Sequence, residues 1–125
     1  MTKATIEVPL LDRAHINQLR GAIGSGRFDG LLGLLANELI ERPATIRRHV
    51  LAGDIAGARS ESHSLKGAST SVGAMALGQA AAAIELGRDL KTMRRALDFL
   101  DLQAARTRGA IESWLPRRRP ARENR

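Results

Sequence analysis

The chain has no cysteine and no tyrosine, and its aromatic residues stop at Phe28, Phe99 and Trp114. Without cysteine there is no disulfide framework, no thiolate chemistry and no cysteine-ligated metal, which fits a reducing cytoplasm. No stretch approaches the ~18 consecutive apolar residues that a membrane span needs. The opening M-T-K-A-T-I-E-V-P lacks the long apolar region of a secretory signal. A soluble, cytoplasmic protein is expected. Gly-rich phosphate loops, zinc-ligand spacings and catalytic triads are also missing, so neither a metal nor an organic cofactor is expected.

What remains is an ordinary globular composition. Hydrophobic residues make up 43% of 125, enough for one domain whose core is mainly leucine, alanine, isoleucine and valine. The net charge of +7 is unevenly placed. Residues 117–125 hold five arginines and one glutamate, or +4, leaving +3 for residues 1–116. The basic character is therefore partly a property of the tail and does not indicate a DNA-binding face of the fold.

Residues 1–9 read as an irregular segment, because Pro9 disfavours helix in the residue before it. A short helix is expected from Leu10 to Ala22, with Leu11, Ala14, Ile16 and Leu19 as a weak stripe and Asp12 as its cap. The strongest amphipathic run is Phe28, Leu31, Leu32, Leu35, Leu39, Ile46 and Val50. It predicts one helix from about 28 to 52, bent where Pro43 interrupts it. Gly53 is a natural stop and Asp54 a natural N-cap for a helix over about 55–70. Gly73 falls in the next connection. An alanine-rich helix over 74–86 buries Leu77, Ala80, Ala81 and Ile84, and Gly87-Arg88-Asp89 reads as a turn. The last helix, about 91–114, carries the stripe Met93, Leu97, Leu100, Ala104, Ile111 and Leu115, and Pro116 ends it. Asp98 and Asp101 read as a solvated face. Residues 117–125 offer almost nothing apolar to dock and are expected to be disordered. Four long helices with short connections predict an all-α, antiparallel up-down four-helix bundle with a short additional N-terminal helix, over residues 10–116.

Within it, Glu61 to Ala74 reads E-S-H-S-L-K-G-A-S-T-S-V-G-A. At 100° per residue, Ile55, Ala58, Ser62, Leu65, Ser69 and Val72 form a seam of apolar and small residues. His63 falls roughly 125° from the middle of that seam. Arg59, Ser60, Lys66, Gly67 and Thr70 lie within about 60° of it. The imidazole therefore belongs on the outer flank. A neutral imidazole is a nucleophile near physiological pH, and Lys66 can set an ammonium beside phosphoryl oxygens. Gly67, at i+4, costs a helix about 1 kcal/mol relative to alanine; close approach of a partner would explain its presence. His15 and His49 read as solvated surface residues.

His63-Ser64-Leu65-Lys66-Gly67-Ala68-Ser69, followed by Val72-Gly73, resembles the phosphoacceptor motif of histidine phosphotransfer (HPt) domains, the shuttle modules of multistep phosphorelays. The family pattern is His-x-apolar-Lys-Gly, a small residue two positions on, then an apolar-Gly pair. Ser62 departs from it, where the family commonly has alanine. Similar helical periodicity covers roughly Phe28 to Leu115. The resemblance implies that His63 accepts a phosphoryl group from the aspartate of one receiver domain and passes it to another, between a hybrid sensor histidine kinase and a response regulator. Lys66 would stabilise the phosphoryl group, and Gly67, Arg59, Ser60 and Thr70 would form the docking surface. Magnesium would belong to the receiver. Such a chain is a phosphocarrier, not a complete kinase, and a monomer is expected. Two alternatives share the helical fold: an interaction bundle whose His63 is inert, and a protein that binds nucleic acid through its arginine tail. Aromatic stacking residues are too few and no helix-turn-helix reader is present, which argues against the last.

Overall fold

The computed structural model describes residues 9–115. The expectations for the segment before Pro9, for the stop at Pro116 and for the arginine-rich tail lie outside that range. Five helices follow one another: α1 (Arg13–Ile23), α2 (Ser25–Leu51), α3 (Ile55–Ser71), α4 (Met75–Glu85) and α5 (Leu90–Trp114). No strand occurs among the described residues.

Three helices begin on an aspartate whose carboxylate accepts a backbone N–H that the helix leaves unpaired. Asp12 takes His15 N–H, Asp54 takes Gly57 N–H, and Asp89 takes Thr92 N–H. The first two match the caps expected from sequence, and the third stands where the sequence indicates only a turn. Gly53 and Gly73 close the turns after α2 and α3 at φ +82° and +88°, where a side chain would meet its own backbone.

Helix α2 starts three residues before the expected Phe28 and is helical straight through Pro43, without a local break. Its buried stripe is Phe28, Leu32, Leu35, Leu39, Pro43, Ile46 and Val50. Leu31 does not join it and is 41% exposed. Counted at 100° per residue, it lies about 80° from the centre of that stripe. Of the weak α1 stripe only Ile16 is buried, Leu11 and Leu19 being half-buried and Ala14 exposed. The expected stripes bury Ala58, Ser62, Leu65 and Ser69 on α3, Leu77, Ala80, Ala81 and Ile84 on α4, and Met93, Leu97, Leu100, Ala104 and Ile111 on α5, with Ile55 and Leu115 half-buried. Gln103 and Thr107 are buried as well, polar residues that an apolar pattern passes over.

Helices α2, α3, α4 and α5 each touch two of the others in a closed ring, α2 against α3 and α5, and α4 against α3 and α5. The α3–α4 contact is tight. A Cβ on Gly78 would stand 2.6 Å from Thr70 Cγ2, and Thr70 cannot swing away without giving up its hydroxyl bond to Lys66 O, 2.9 Å. Gly78→Ala should therefore destabilise the fold by about 1–3 kcal/mol, and adding Thr70→Ser, which deletes the methyl, should recover most of it. Thermal denaturation of the single and double variants measures both. An undiminished midpoint in Gly78→Ala would mean the helices separate freely.

Helix α1 is stapled to the α3–α4 turn. Asp12 N–H donates to Gly73 O at 2.8 Å and Ala76 N–H to Pro9 O at 3.1 Å. His15 Nε2 lies 3.0 Å from Ser71 O. A carbonyl only accepts, so that nitrogen carries the proton. His15 is thus a structural tie, not the solvated side chain expected of it. Trp114, at the end of α5, lies under the guanidinium groups of Arg13 and Arg20, 5.6 and 6.0 Å from the ring centroid.

Candidate functional site

Because Ala58, Ser62, Leu65 and Ser69 point α3 inward, His63 is turned out, with its side chain 68% exposed. Its ring leans toward the end of α4. Nδ1 lies 2.7 Å from Glu85 Oε2. An ionised carboxylate can only accept, so Nδ1 carries the proton. In the neutral ring this leaves the lone pair on Nε2. The same carboxylate meets Lys66, whose Nζ stands 3.1 Å from Oε1 but off the line of a good hydrogen bond, so the contact is an ion pair. Lys66 first, and His63 second, hold the Glu85 carboxyl below its ordinary value of 4.5.

That shift has a sign. Glu85 stays ionised to lower pH in the fold than in the unfolded chain, so its contribution is complete above about 4.5 and fades as pH falls through the lower, folded value. Glu85→Gln should therefore melt below the parent from neutrality down past pH 4.5, and the gap should close only in more acid solution. Melting curves across pH check this; a gap that closes at or above pH 4.5 would remove Glu85 from the pairing.

Of the other expected site residues, Gly67 faces open space, with nothing within 4 Å of the Cβ position. Ser60 is exposed. Arg59 is fastened instead of free, its Nη2 donating to Gly87 O in the α4–α5 turn at 2.9 Å. Thr70 bonds back to its own helix and packs its methyl against Gly78, so it belongs to the α3–α4 contact as much as to the surface. The structure thus brings His63 and Lys66 together on one carboxylate, leaves Ser60 and Gly67 open beside them, and draws Arg59 toward α4–α5.

Sequence reasoning missed Glu85. One signal was available: it is the sole acid between Glu61 and Asp89, at the end of an otherwise alanine-rich helix.

A histidine on a carboxylate is not by itself distinctive. His49 Nδ1 lies 2.9 Å from Asp54 Oδ2, an equally good pair, and this histidine too is engaged where a solvated one was expected. It ties the end of α2 to the cap of α3. Asp54 is drawn below its usual range first by Gly57 N–H and then by this histidine. What His49 lacks is access and a cation: its side chain is 32% exposed, and a Cβ on neighbouring Gly57 would run into its ring. Only His63 combines exposure, a fixed tautomer, an adjacent ammonium and open space at i+4. The acid pair on α5 is likewise not merely solvated, since Arg47 of α2 reaches Asp98 at 3.1 Å and Asp101 at 2.6 Å.

An exposed imidazole presenting Nε2, with its far nitrogen held by an acid, can attack phosphorus and spread the resulting positive charge onto that acid. Comparison with known proteins points the same way. No curated protein sequence matches the chain. Among solved structures, the fold is similar to the crystal structure of histidine-containing phosphotransfer protein B (HptB) from Pseudomonas aeruginosa PAO1. The TM-score is 0.74 at 22% sequence identity, covering 90% of this chain and 100% of that one. No helix of the described residues is long and apolar enough to cross a membrane. The family model of the Hpt domain matches residues 30–110, about two thirds of the chain and all of the motif around His63, and the chain therefore belongs to the Hpt domain family.

Proposed function

We propose that His63 is the phosphoacceptor of this Hpt domain and that Nε2 is the atom modified. The observation that carries this is the single carboxylate of Glu85 held between His63 Nδ1 and Lys66 Nζ. The Nε2 lone pair attacks the phosphorus of an aspartyl phosphate in line; the N–P bond forms as the P–O bond to the aspartate breaks, and the aspartate leaves as a carboxylate. The ring becomes cationic with its proton still on Nδ1, where Glu85 accepts it. Lys66, within reach of the same edge, balances the phosphoryl oxygens. The reverse step returns the group to a second aspartate. The donor and acceptor are the receiver domains of a hybrid sensor histidine kinase and a response regulator, and the chain is a cytoplasmic, monomeric phosphocarrier. Gly67 and Ser60 lie under the docked receiver, with Arg59 and Thr70 at its margin.

The scaffold for this reading is an antiparallel up-down four-helix bundle, formed by α2–α5 with α1 at one end. Cross-helix pairs support it. His63 meets Glu85, while Thr70, seven residues later, meets Gly78, seven residues earlier, as antiparallel neighbours do.

Transfer of label from a phosphorylated receiver domain to this chain tests the proposal. The product should be stable to base and labile to acid, as an N–P bond is. Lys66→Ala should slow that transfer roughly tenfold or more, the loss expected for one charge-assisted contact to phosphate, with a fall in melting temperature no larger than that of Glu85→Gln. Unchanged rates in both directions would take Lys66 out of the mechanism.

A further inference from the structure

A second surface lies on α5, away from the helix that bears His63. Lys91, Arg95, Phe99, Leu102 and Arg106 are all exposed. At 100° and 1.5 Å per residue they fall within about 80° of arc and run ~22 Å along the helix. Phe99 and Leu102 are 51% and 52% exposed and stand between cations, with Lys91 and Arg95 on one side and Arg106 on the other. Three other long cations are used internally, Arg42 by Glu38 and Glu61, Arg47 by Asp98 and Asp101, and Lys66 by Glu85. Among the described residues, no acid lies within ion-pair distance of Lys91, Arg95 or Arg106. The two nearest acids in sequence are already committed, Asp98 to Arg47 and Asp89 to the α5 N-cap.

We propose that this stripe is a docking surface for an acidic amphipathic helix of a partner protein. An apolar centre flanked by charge is the anatomy of a protein interface. Phe99 and Leu102 would insert between apolar residues of the partner, and carboxylates at its two ends would meet Lys91, Arg95 and Arg106. The occupant follows from charge complementarity, because the stripe presents three cations against one carboxylate at its edge, Asp98, which is exposed but paired to Arg47. A lipid surface fits less well, since two large apolar side chains make a small face to bury in a bilayer interface. Nucleic acid would need cations tracking phosphates without an apolar centre. The stripe and the proposed phosphoacceptor lie on different helices, α5 and α3.

The test is a titration of the ¹⁵N-labelled full chain with a synthetic helical peptide carrying leucines at its centre and glutamates at both ends. A lysine-for-glutamate version of the peptide, phosphatidylglycerol vesicles and a DNA duplex serve as comparisons. Amide shifts should centre on residues 91–106 with the acidic peptide alone. Phe99→Ser with Leu102→Ser, and Arg95→Glu with Arg106→Glu, replace exposed side chains and should keep the fold while each weakens binding about tenfold or more. His63→Gln should bind the peptide as the parent does, so failure of the phosphotransfer reading would leave this result standing. Absence of shifts in the stripe, normal binding by either double variant, or capture by vesicles or DNA in place of the peptide would overturn the proposal.

Discussion

His63→Gln should take phosphoryl acceptance to background and leave the helical fold in place. The amide nitrogen of glutamine has no nucleophilic lone pair, so no N–P bond can form, whatever the partner. The fold should hold because the side chain is 68% exposed and its one specific contact is with Glu85. Removing an exposed side chain of this kind usually moves stability by about 0.5 kcal/mol or less. His15→Gln and His49→Gln are the informative controls. Both should accept phosphate at the parental rate, yet they break the ties to Ser71 O and Asp54. His15→Gln should melt earlier by roughly 1 kcal/mol, the usual net value of one such hydrogen bond. Function and stability should thus separate among the three histidines, the proposed phosphoacceptor affecting transfer and the two that hold helix ends affecting stability. Label on His15 or His49 in the intact chain would reverse that division.

Gly67 gives the second large effect, with stability and function moving in opposite directions. The glycine is in the interior of α3, and the space over its Cβ position is empty. Gly67→Ala should stabilise the helix by up to about 1 kcal/mol, from propensity and from the lost freedom of the unfolded chain. Gly67→Gln should also fold normally. Its side chain, however, projects from one turn beyond His63 into the space that a receiver would enter under the proposed in-line attack, and a displacement near 1 Å there can cost on the order of a hundredfold. Melting temperature and receiver-to-chain transfer, measured on both variants, decide the matter. If Gly67→Gln unfolds, Gly67 is a packing residue; if it transfers at the parental rate, docking occurs elsewhere.

Much of this was legible from one helix at a time. The seam of Ala58, Ser62, Leu65 and Ser69 follows from 3.6-residue periodicity, and its orientation puts His63 outside without reference to any other helix. The caps at Asp12 and Asp54 follow from local chemistry. Pairings between helices were not legible, because they depend on register and not on periodicity. Glu85 reaches His63 across 22 positions, Arg47 reaches Asp98 across 51, and His15 reaches Ser71 across 56. Each was read as a solvated side chain or passed over for that reason. Leu31 failed differently: its hydrophobicity matched the stripe while its angle did not. Pro43, where the sequence predicts one bent helix, lies buried within one continuous helix.

The central claim is that Glu85 fixes the proton on Nδ1 and leaves Nε2 to receive phosphate. The most direct measurement is ¹⁵N–¹H correlation NMR of the histidine rings before and after phosphorylation, using phosphoramidate as a small donor that needs no cognate partner. The account predicts an Nδ1–H tautomer for neutral His63 and a single new phosphorus-coupled nitrogen, Nε2 of His63, in the phosphorylated chain. Coupling at Nδ1 of His63, or at a ring nitrogen of His15 or His49 with His63 unmodified, would contradict it.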